Sequence, residues 1–216
     1  MEQLTEDRGQ MTIATLSDTR LELIQRHVRI DGVSPIMFDR YAGDKDTRLE
    51  WHQKIYAKPG TSTLSIPTLN IVSFFTAHNT NSAPKRLRDV RKYKAIANSI
   101  LSFTTITAMN GDAEYIPFLR DGKEIQVGTF ADDHDPVSGL KLHQAVARLE
   151  KGIPNEKERA LLPLPWSLEF MLTIYPNKEI KEQEIKNLLA EGGMAIGLGT
   201  FRGVFGKFQV AKWADA

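Results

Sequence analysis

The last fifty residues constrain the fold more than any other part of the chain. Residues 166–175 alternate between apolar and polar side chains, which predicts a strand, and residues 180–191 place isoleucine and leucine at amphipathic helical spacing. A glycine-rich segment follows, and residues 208–213 again have the pattern of a strand. This order of strand, helix, glycine-rich loop and strand predicts one end of an α+β sheet.

The glycine-rich segment combines flexible backbone with positive charge. Its glycines and cations are Gly197, Gly199, Arg202, Gly203, Gly206 and Lys207. Because glycine tolerates a positive φ and lets another backbone or a phosphate approach closely, this composition indicates a loop shaped around a ligand. The alternative is structural, with a helix C-cap at Gly192 and Gly193 followed by a bulged hairpin. The residues alone leave both interpretations open.

Other parts of the chain carry the strand and helix signals that such a sheet requires. Residues 23–30 alternate in part between apolar and basic side chains, which predicts a strand. Thr68 has the position of an N-cap and predicts a helix that begins there. Residues 95–103 predict another helix, and residues 104–108 a strand. Residues 1–22 are polar, and we expect them to be loosely held.

The middle of the chain, about residues 110–160, predicts an inserted segment. An Asp-Gly pair at 121–122 is a turn signal inside a hairpin predicted over residues 115–127. Residues 140–149 fit either a helix or a strand. Residues 151–159 are charged and contain glycine and proline, which predicts an exposed loop.

The composition fits a single globular domain of 216 residues. The formal net charge of +1 argues against a generally cationic nucleic-acid binder and leaves room for a local basic surface. With no cysteine, disulfides and thiolate chemistry are excluded. The first residues have no pattern of a secretory signal, and no apolar run approaches the roughly 20 residues of a membrane span. We therefore expect a cytoplasmic protein that does not bind membranes.

One segment, residues 84–94, is strongly basic. It contains one aspartate and six cations, which are Lys85, Arg86, Arg88, Arg91, Lys92 and Lys94. Such a cluster neutralises phosphates, and Tyr93 offers a ring for stacking. The alternative is the solvated face of a helix. Since the rest of the chain is balanced in charge, the excess favours nucleic-acid binding.

The first predicted strand also carries cations. His27 and Arg29 share one face, while Arg26 points with Val28 and Ile30 to the other. In an RRM-like sheet, one open face holds single-stranded nucleic acid. Arg26 and Arg29 are thus candidate RNA contacts. The alternative, which the pattern favours, is an exposed strand with ordinary charges.

No catalytic motif emerges from the acidic residues. Asp132, Asp133, His134 and Asp135 resemble metal ligands, but no calcium-loop pattern surrounds them, and a solvated turn is the favoured interpretation. A nucleophile elbow and a Walker sequence are both absent. We therefore expect no cofactor, no metal and no enzymatic activity. A metal-dependent ribonuclease that uses the acids of residues 132–135 stays open.

The order of elements resembles the RAMP superfamily of CRISPR proteins, in which a glycine-rich loop joins the last helix to the last strand. The matched positions are Gly197, Gly199 and Gly206, with Arg202 and Gly203 between them. The resemblance covers the last fifty residues in detail and the first eighty in general arrangement. Within the superfamily, the chain is most similar to the repeated backbone subunit of effector complexes, or to a phage- or plasmid-borne relative of it. The family often ends its loop with Gly-aromatic-Gly, whereas Lys207 follows Gly206 here.

The resemblance implies an α+β fold with a ferredoxin-like (RRM-like) sheet and an inserted finger or thumb. It also implies a non-catalytic subunit that binds single-stranded guide RNA, assembles with copies of itself and with other effector-complex subunits, and serves antiviral defence. Some members cleave RNA through a loop aspartate, but no motif selects among Asp31, Asp39 and Asp44. The alternative function is a phage or plasmid interaction protein that mimics or caps such a complex without binding nucleic acid.

Overall fold

The computed structural model describes residues 22–44, 46–76, 82–148 and 154–216. Four helices lie in this part of the chain: α1 (Thr68–Thr76), α2 (Ala83–Leu87), α3 (Tyr93–Phe103) and α4 (Glu182–Ala195). The strands are β1 (Ile24–Gly32), β2 (Ile36–Phe38), β3 (Ser65–Pro67), β4 (Thr104–Ala108), β5 (Tyr115–Arg120), β6 (Lys123–Glu124), β7 (Lys141–Arg148), β8 (Pro154–Leu162), β9 (Ser167–Ile174) and β10 (Phe208–Asp215). A 3-10 turn, Trp51–Lys54, precedes β3.

The main sheet has the topology of a ferredoxin-like fold. Its central strands lie in the order β10, β1, β9, β4, and every neighbouring pair is antiparallel. Along the chain, β1 leads through α1–α3 to β4, and β9 leads through α4 to β10. β5 pairs with β9 beyond β4, and it carries β3 and β6. The α+β, ferredoxin-like fold that the sequence predicted is confirmed.

One face of this sheet forms the core. In β9, Leu168, Phe170, Leu172 and Ile174 are buried. The three residues that alternate with them lie on the opposite, more exposed face. This alternation follows from the two-residue period of a strand. α4 places Ile185, Leu188 and Leu189 on the same core. Each of these apolar side chains contributes about 1.5–3 kcal/mol on burial.

A second, smaller sheet is formed by β2, β8 and β7. β7 and β8 make a long hairpin, in which Lys141 pairs with Leu161 and Arg148 with Pro154. β2 pairs with the base of β8. The loop predicted over residues 151–159 is therefore wrong from residue 154 onward, and 151–153 lie outside the described residues. Charge misled the prediction: the acids and bases of this strand alternate between its two faces while its backbone pairs with β7, and Arg159 is buried.

The end of α4 also differs from the structural alternative offered by the sequence. Gly192 and Gly193 lie inside the helix, which ends at Ala195. A Cβ at Gly192 would meet the ring of Phe74 at 2.5 Å, and one at Gly193 would meet the carbonyl oxygen of Phe208 at 2.6 Å. The two glycines therefore let the helix pack closely and do not cap it. None of the described helices combines the length and apolar character needed to cross a membrane.

Candidate nucleic-acid interface

The glycine-rich loop, residues 196–207, is a closely packed backbone structure. Gly197 and Gly206 both have positive φ, +79° and +71°. A Cβ at Gly197 would lie 2.6 Å from the carbonyl oxygen of Gly206, and one at Gly206 would overlap the carbonyl oxygen of Leu198. These two positions require glycine both for their φ and for the approach of the facing backbone.

The amides of this loop serve the fold. Leu198 N donates to Gly206 O at 2.9 Å, which ties the two ends of the loop together. Other amides bond to the β1–β2 connection and to the end of α4: Thr200 to Met37 O, Gly206 to Pro35 O, Lys207 to Ser34 Oγ, Gly197 to Gly192 O and Gly203 to Ile196 O. Since these donors are occupied, the idea that they bind phosphate is not supported by the geometry.

Two aromatic residues of the loop cover one face of the small sheet. The Phe201 ring centroid lies 5.2 Å from the guanidinium carbon of Arg159, and the Phe205 ring meets His143 edge-on at 5.4 Å. Arg159 is buried, and its Nε donates to Asp39 at 2.9 Å. The loop thus connects the C-terminal end of the ferredoxin-like unit to the β7–β8 hairpin.

The face of the hairpin that meets the loop is basic. His143 pairs with Arg159 across the ladder, so their side chains share a face, and Lys141 and Lys157 lie on the same face two residues away. The opposite face carries Gln144, Glu156 and Glu158. We call Lys141, His143, Lys157 and Arg159 the hairpin basic face. Two acids lie beside it: Asp39, bound to Arg159, and the exposed Asp133, near Lys141.

The glycine-rich loop itself contains two cations, Arg202 and Lys207. Arg202 donates from Nε to Gly199 O at 3.2 Å, and burial lowers the pKa of its guanidinium. The main chain of Lys207 is fixed to the β1–β2 connection, because its carbonyl oxygen accepts bonds from Val33 and Ser34. These contacts of the Arg202 side chain and of the Lys207 main chain are with the scaffold, and the predicted role of both residues in RNA binding stays a prediction.

The basic segment divides into structural and exposed cations. Arg88 binds Glu191 and Glu184 of α4 at 3.0 and 2.7 Å, and these carboxylates raise its pKa. Lys85 lies 5.9 Å from the ring centroid of Tyr93. The remaining cations are exposed around the turn from α2 to α3: Arg86, Arg91, Lys92 and Lys94.

The open face of the main sheet carries a network of paired charges. Arg29 binds Asp31 at 2.8 Å and Glu169 at 3.2 Å, which raises its pKa. His27 bridges Glu169 and Lys212, each at 2.9 Å. Within β1, β4, β9 and β10, this face presents no phenylalanine, tyrosine or tryptophan ring, and its imidazole, His27, is held by Glu169 and Lys212. Tyr175, 45% exposed, directly follows β9 and bonds to Thr105. The central strands themselves therefore lack the stacking rings of an RRM-type RNA surface.

Arg26 lies on the other face of β1, as the alternation predicted. Its guanidinium binds Glu182 of α4 and Asp215 of β10, and the hydrogen bond to Glu182 is the largest cause of its raised pKa. The arginine connects three elements. Sequence reasoning could not identify these partners, which are 156 and 189 residues away.

The acidic residues 132–135 form a turn, and one of them is buried. Burial raises the pKa of Asp135, but hydrogen bonds from Ser138, Gly128 and Val137 outweigh it and lower the pKa. The solvated turn favoured by the sequence is thus wrong for Asp135, which holds residues 128–138 together. Asp133 and His134 pair with each other at 2.8 Å. In the described ranges, no group of three or more His, Asp or Glu residues could hold a metal ion.

A groove of about 740 Å³ runs between residues 39–54 and β8. Its lining carries five carboxylates and four cations: Asp39, Asp44, Glu50, Glu156 and Glu158, with Arg40, Arg48, Lys54 and Lys157. A polyanion gains little from such a surface, because the carboxylates repel phosphate about as strongly as the cations attract it. The groove is a weaker nucleic-acid candidate than the hairpin basic face.

Comparison with known proteins supports the fold. No protein-family model matches the chain, and no curated protein sequence matches it. A solved chain of similar fold comes from the cryo-EM structure of the Type III-B Cmr-beta bound to cognate target RNA, with a TM-score of 0.56 and 11% sequence identity. The match covers 90% of this chain and 61% of that chain. At this identity the likeness concerns the fold alone.

Proposed function

We propose that this protein is a non-catalytic RAMP-like subunit of a CRISPR effector complex, that it binds single-stranded RNA without sequence preference and that it assembles with copies of itself. The observation that carries the proposal is the hairpin basic face, placed beside the glycine-rich loop on a ferredoxin-like fold. The solved chain of similar fold belongs to a structure bound to target RNA, which supports RNA as the ligand.

The chemistry of the hairpin basic face suits a phosphate backbone. Cations that replace condensed counterions bind any sequence, and their contribution falls as salt rises. Strand alternation places the glutamates of β8 on the opposite face, and Arg159 is bound to Asp39, so Lys141 and Lys157 supply the charge that faces solvent. Lys141 and Lys157 are the residues that would contact phosphates.

A second group of cations extends the proposed RNA track. Arg86, Arg91, Lys92 and Lys94 are exposed at the α2–α3 turn. Arg88, Arg26 and Arg29 have a different role in the proposal, because each is bound to two carboxylates. These three arginines stabilise the scaffold that carries the RNA contacts.

The test is the state of the protein purified from bacteria. Size-exclusion chromatography with light scattering and absorbance at about 260 and 280 nm reports mass and nucleic-acid content together. The proposal expects large, nucleic-acid-rich assemblies that dissociate after ribonuclease treatment. A monomer or small oligomer that carries no nucleic acid, and that binds no added single-stranded RNA at low salt, would contradict it.

A second candidate function is a phage or plasmid interaction protein of the same fold that acts on an effector complex without binding nucleic acid. Two observations favour it: the net charge is only +1, and carboxylates neutralise three arginines, which are Arg26, Arg29 and Arg88. This candidate expects the clean small species in the same experiment. It also expects the protein to bind an assembled complex, and not its RNA.

A further inference from the structure

Phe201 has an unusual position at the tip of the glycine-rich loop. Its φ of +53° lies in the left-handed region, which is costly for a bulky side chain, and the residue is 49% exposed. The carbonyl oxygen of Phe201 accepts bonds from the amides of Val204 and Phe205, both at 3.3 Å. The surrounding loop thus imposes a conformation that presents an apolar ring to solvent.

The inner face of the ring is supported by a fixed cation. The guanidinium of Arg159 lies 5.2 Å from the ring centroid, and Arg159 is only 7% exposed. Asp39 holds its Nε at 2.9 Å, and its Nη1 is buried without a hydrogen-bond partner among the described residues. The guanidinium held in this way lies over one side of the ring, while Phe201 as a residue stays half exposed.

We propose that Phe201 is a stacking platform for a nucleobase of single-stranded RNA. The base packs on the exposed face of the ring, while Arg159 packs on the opposite face. Aromatic side chains stack every base, because every base has a π-face, so the contact is tolerant of sequence. This inference rests on the proposed function, and it adds a contact with the bases to the binding of phosphates by the lysines.

The surroundings favour a base over a protein side chain. Lys141 and Lys157 lie on the same side of the hairpin as the cation that supports the ring, so the ring borders a basic surface. Val204, 63% exposed, is its near apolar neighbour in the loop. A polymer that alternates negative charge with flat rings matches both features at once. The contact with Arg159 restrains the ring, which reduces the side-chain entropy that is lost on binding.

The experiment uses the full chain, freed of bound nucleic acid, and a fluorescein-labelled 20-nucleotide oligouridine in fluorescence polarisation. The variants are Phe201→Leu, which keeps apolar bulk and loses the ring, and Phe201→Tyr, which keeps the ring. Val204→Ala is the matched control at an exposed apolar neighbour. Thermal denaturation of each variant confirms that the fold is retained, and Phe201→Tyr keeps the test valid if Phe201→Leu does not fold.

The platform predicts that Phe201→Leu weakens binding about tenfold, within the range of one stacked base. Because the ring carries no charge, the slope of log affinity against log salt stays unchanged. Phe201→Tyr binds as the wild type does, and Val204→Ala changes the affinity by no more than about twofold. An oligonucleotide with 2-aminopurine in place of some bases loses fluorescence on binding to the wild type, and keeps more of it with Phe201→Leu.

The outcomes separate the platform from the proposed function. If the wild type binds RNA and Phe201→Leu binds equally well with an equal 2-aminopurine signal, the platform is wrong and RNA binding stands. If the wild type binds no RNA at any salt concentration, the proposed function fails, and the platform fails with it. If the exposed ring instead binds a protein, Phe201→Leu abolishes that binding in RNA-free conditions, which also overturns the platform.

Discussion

Two basic regions of this protein differ in how their charges are used. The segment of residues 84–94 is basic in sequence, yet its central Arg88 is bound to Glu184 and Glu191 of a distant helix. The β8 strand is mixed in sequence, with glutamate, lysine and arginine in turn, yet pairing places its acids and bases on opposite faces. The apparently neutral strand therefore has one face without acids of its own, although Arg159 on that face is bound to Asp39, and the apparently basic segment loses part of its charge to the scaffold.

The comparison shows that a run of like charge along the chain is a poor measure of surface potential. In a strand whose charges alternate in sign, the two-residue period places the cations on one face and the anions on the other. A basic helix and turn, by contrast, can place a cation beside carboxylates of a neighbouring helix, as they do for Arg88. The glycine-rich loop also shapes the surface of the hairpin, because it places Phe201 and Phe205 over one side of it.

The largest effect is expected from a substitution that disrupts the glycine-rich loop, which packs against the hairpin basic face. Gly206→Ala places a Cβ against the carbonyl oxygen of Leu198 at a φ of +71°, and we expect a loss of at least about 3 kcal/mol in unfolding free energy. Gly203→Ala is the matched control, since its φ is +94° and no atom lies within 4 Å of the added Cβ. Urea denaturation measures both. Equal losses would show that backbone strain alone matters.

The next effect separates the two basic regions by RNA affinity. Lys141→Ala with Lys157→Ala should weaken binding about tenfold and reduce the salt slope by about 1.4, at about 0.7 for each phosphate contact. Arg91→Ala with Lys92→Ala removes the same charge from the α2–α3 turn and should have a smaller effect. Lys123→Ala with Lys178→Ala, at exposed sites elsewhere, is the control for net charge. If all three pairs weaken binding equally, the hairpin basic face has no special role.

A smaller effect tests whether Arg88 belongs to the scaffold. Arg88→Ala should lower the unfolding free energy by about 1–2 kcal/mol, because two carboxylates of α4 lose their partner. The neighbouring Arg86 is exposed, and Arg86→Ala should change stability by less than about 0.5 kcal/mol. Chemical denaturation of the two variants measures the change in unfolding free energy of each. A stable Arg88→Ala variant with weakened RNA binding would assign Arg88 to the RNA surface instead.

The smallest effect concerns an ion pair outside both basic regions. Lys58, 2.7 Å away, and the amides of Glu114 and Tyr115 lower the pKa of Asp112 from 3.8 to about 2. Since the folded pKa is depressed, the stability from this carboxylate is present above pH 3.8 and is lost as the pH falls towards 2. Asp112→Asn should therefore be less stable than the wild type at neutral pH, and the difference should shrink across that interval. A difference independent of pH would refute the assignment.

Much of the fold could be predicted from the sequence because its signals are local. The alternation in residues 166–175 and the helical spacing in 180–191 come from burial on one face, and both elements form where predicted. The alternative in which Gly192 and Gly193 cap the helix is wrong, and it arose because a glycine that caps a helix and a glycine that permits close packing look the same in sequence. Only the positions of Phe74 and Phe208 distinguish the two cases.

The candidate site was harder to predict. The sequence pointed to the glycines of the loop, but the amides of Thr200, Gly206 and Lys207 bond to residues 34–37, which are more than 160 residues away in the chain. Phe201, Arg159 and His143 meet through tertiary packing, which no local pattern indicates. One signal was present: the alternation of Glu156, Lys157, Glu158 and Arg159 is typical of a strand with two unlike faces.

The central claim is that single-stranded RNA binds at the hairpin basic face and the glycine-rich loop. Ultraviolet crosslinking of the full chain to an oligouridine, followed by mass spectrometry of the peptides, locates the contact directly. We predict crosslinks at Phe201 and in peptides of β7 and β8, with fewer at the α2–α3 turn. Crosslinks confined to the open face of β1 and β10, or none at any RNA concentration that saturates binding, would contradict the account.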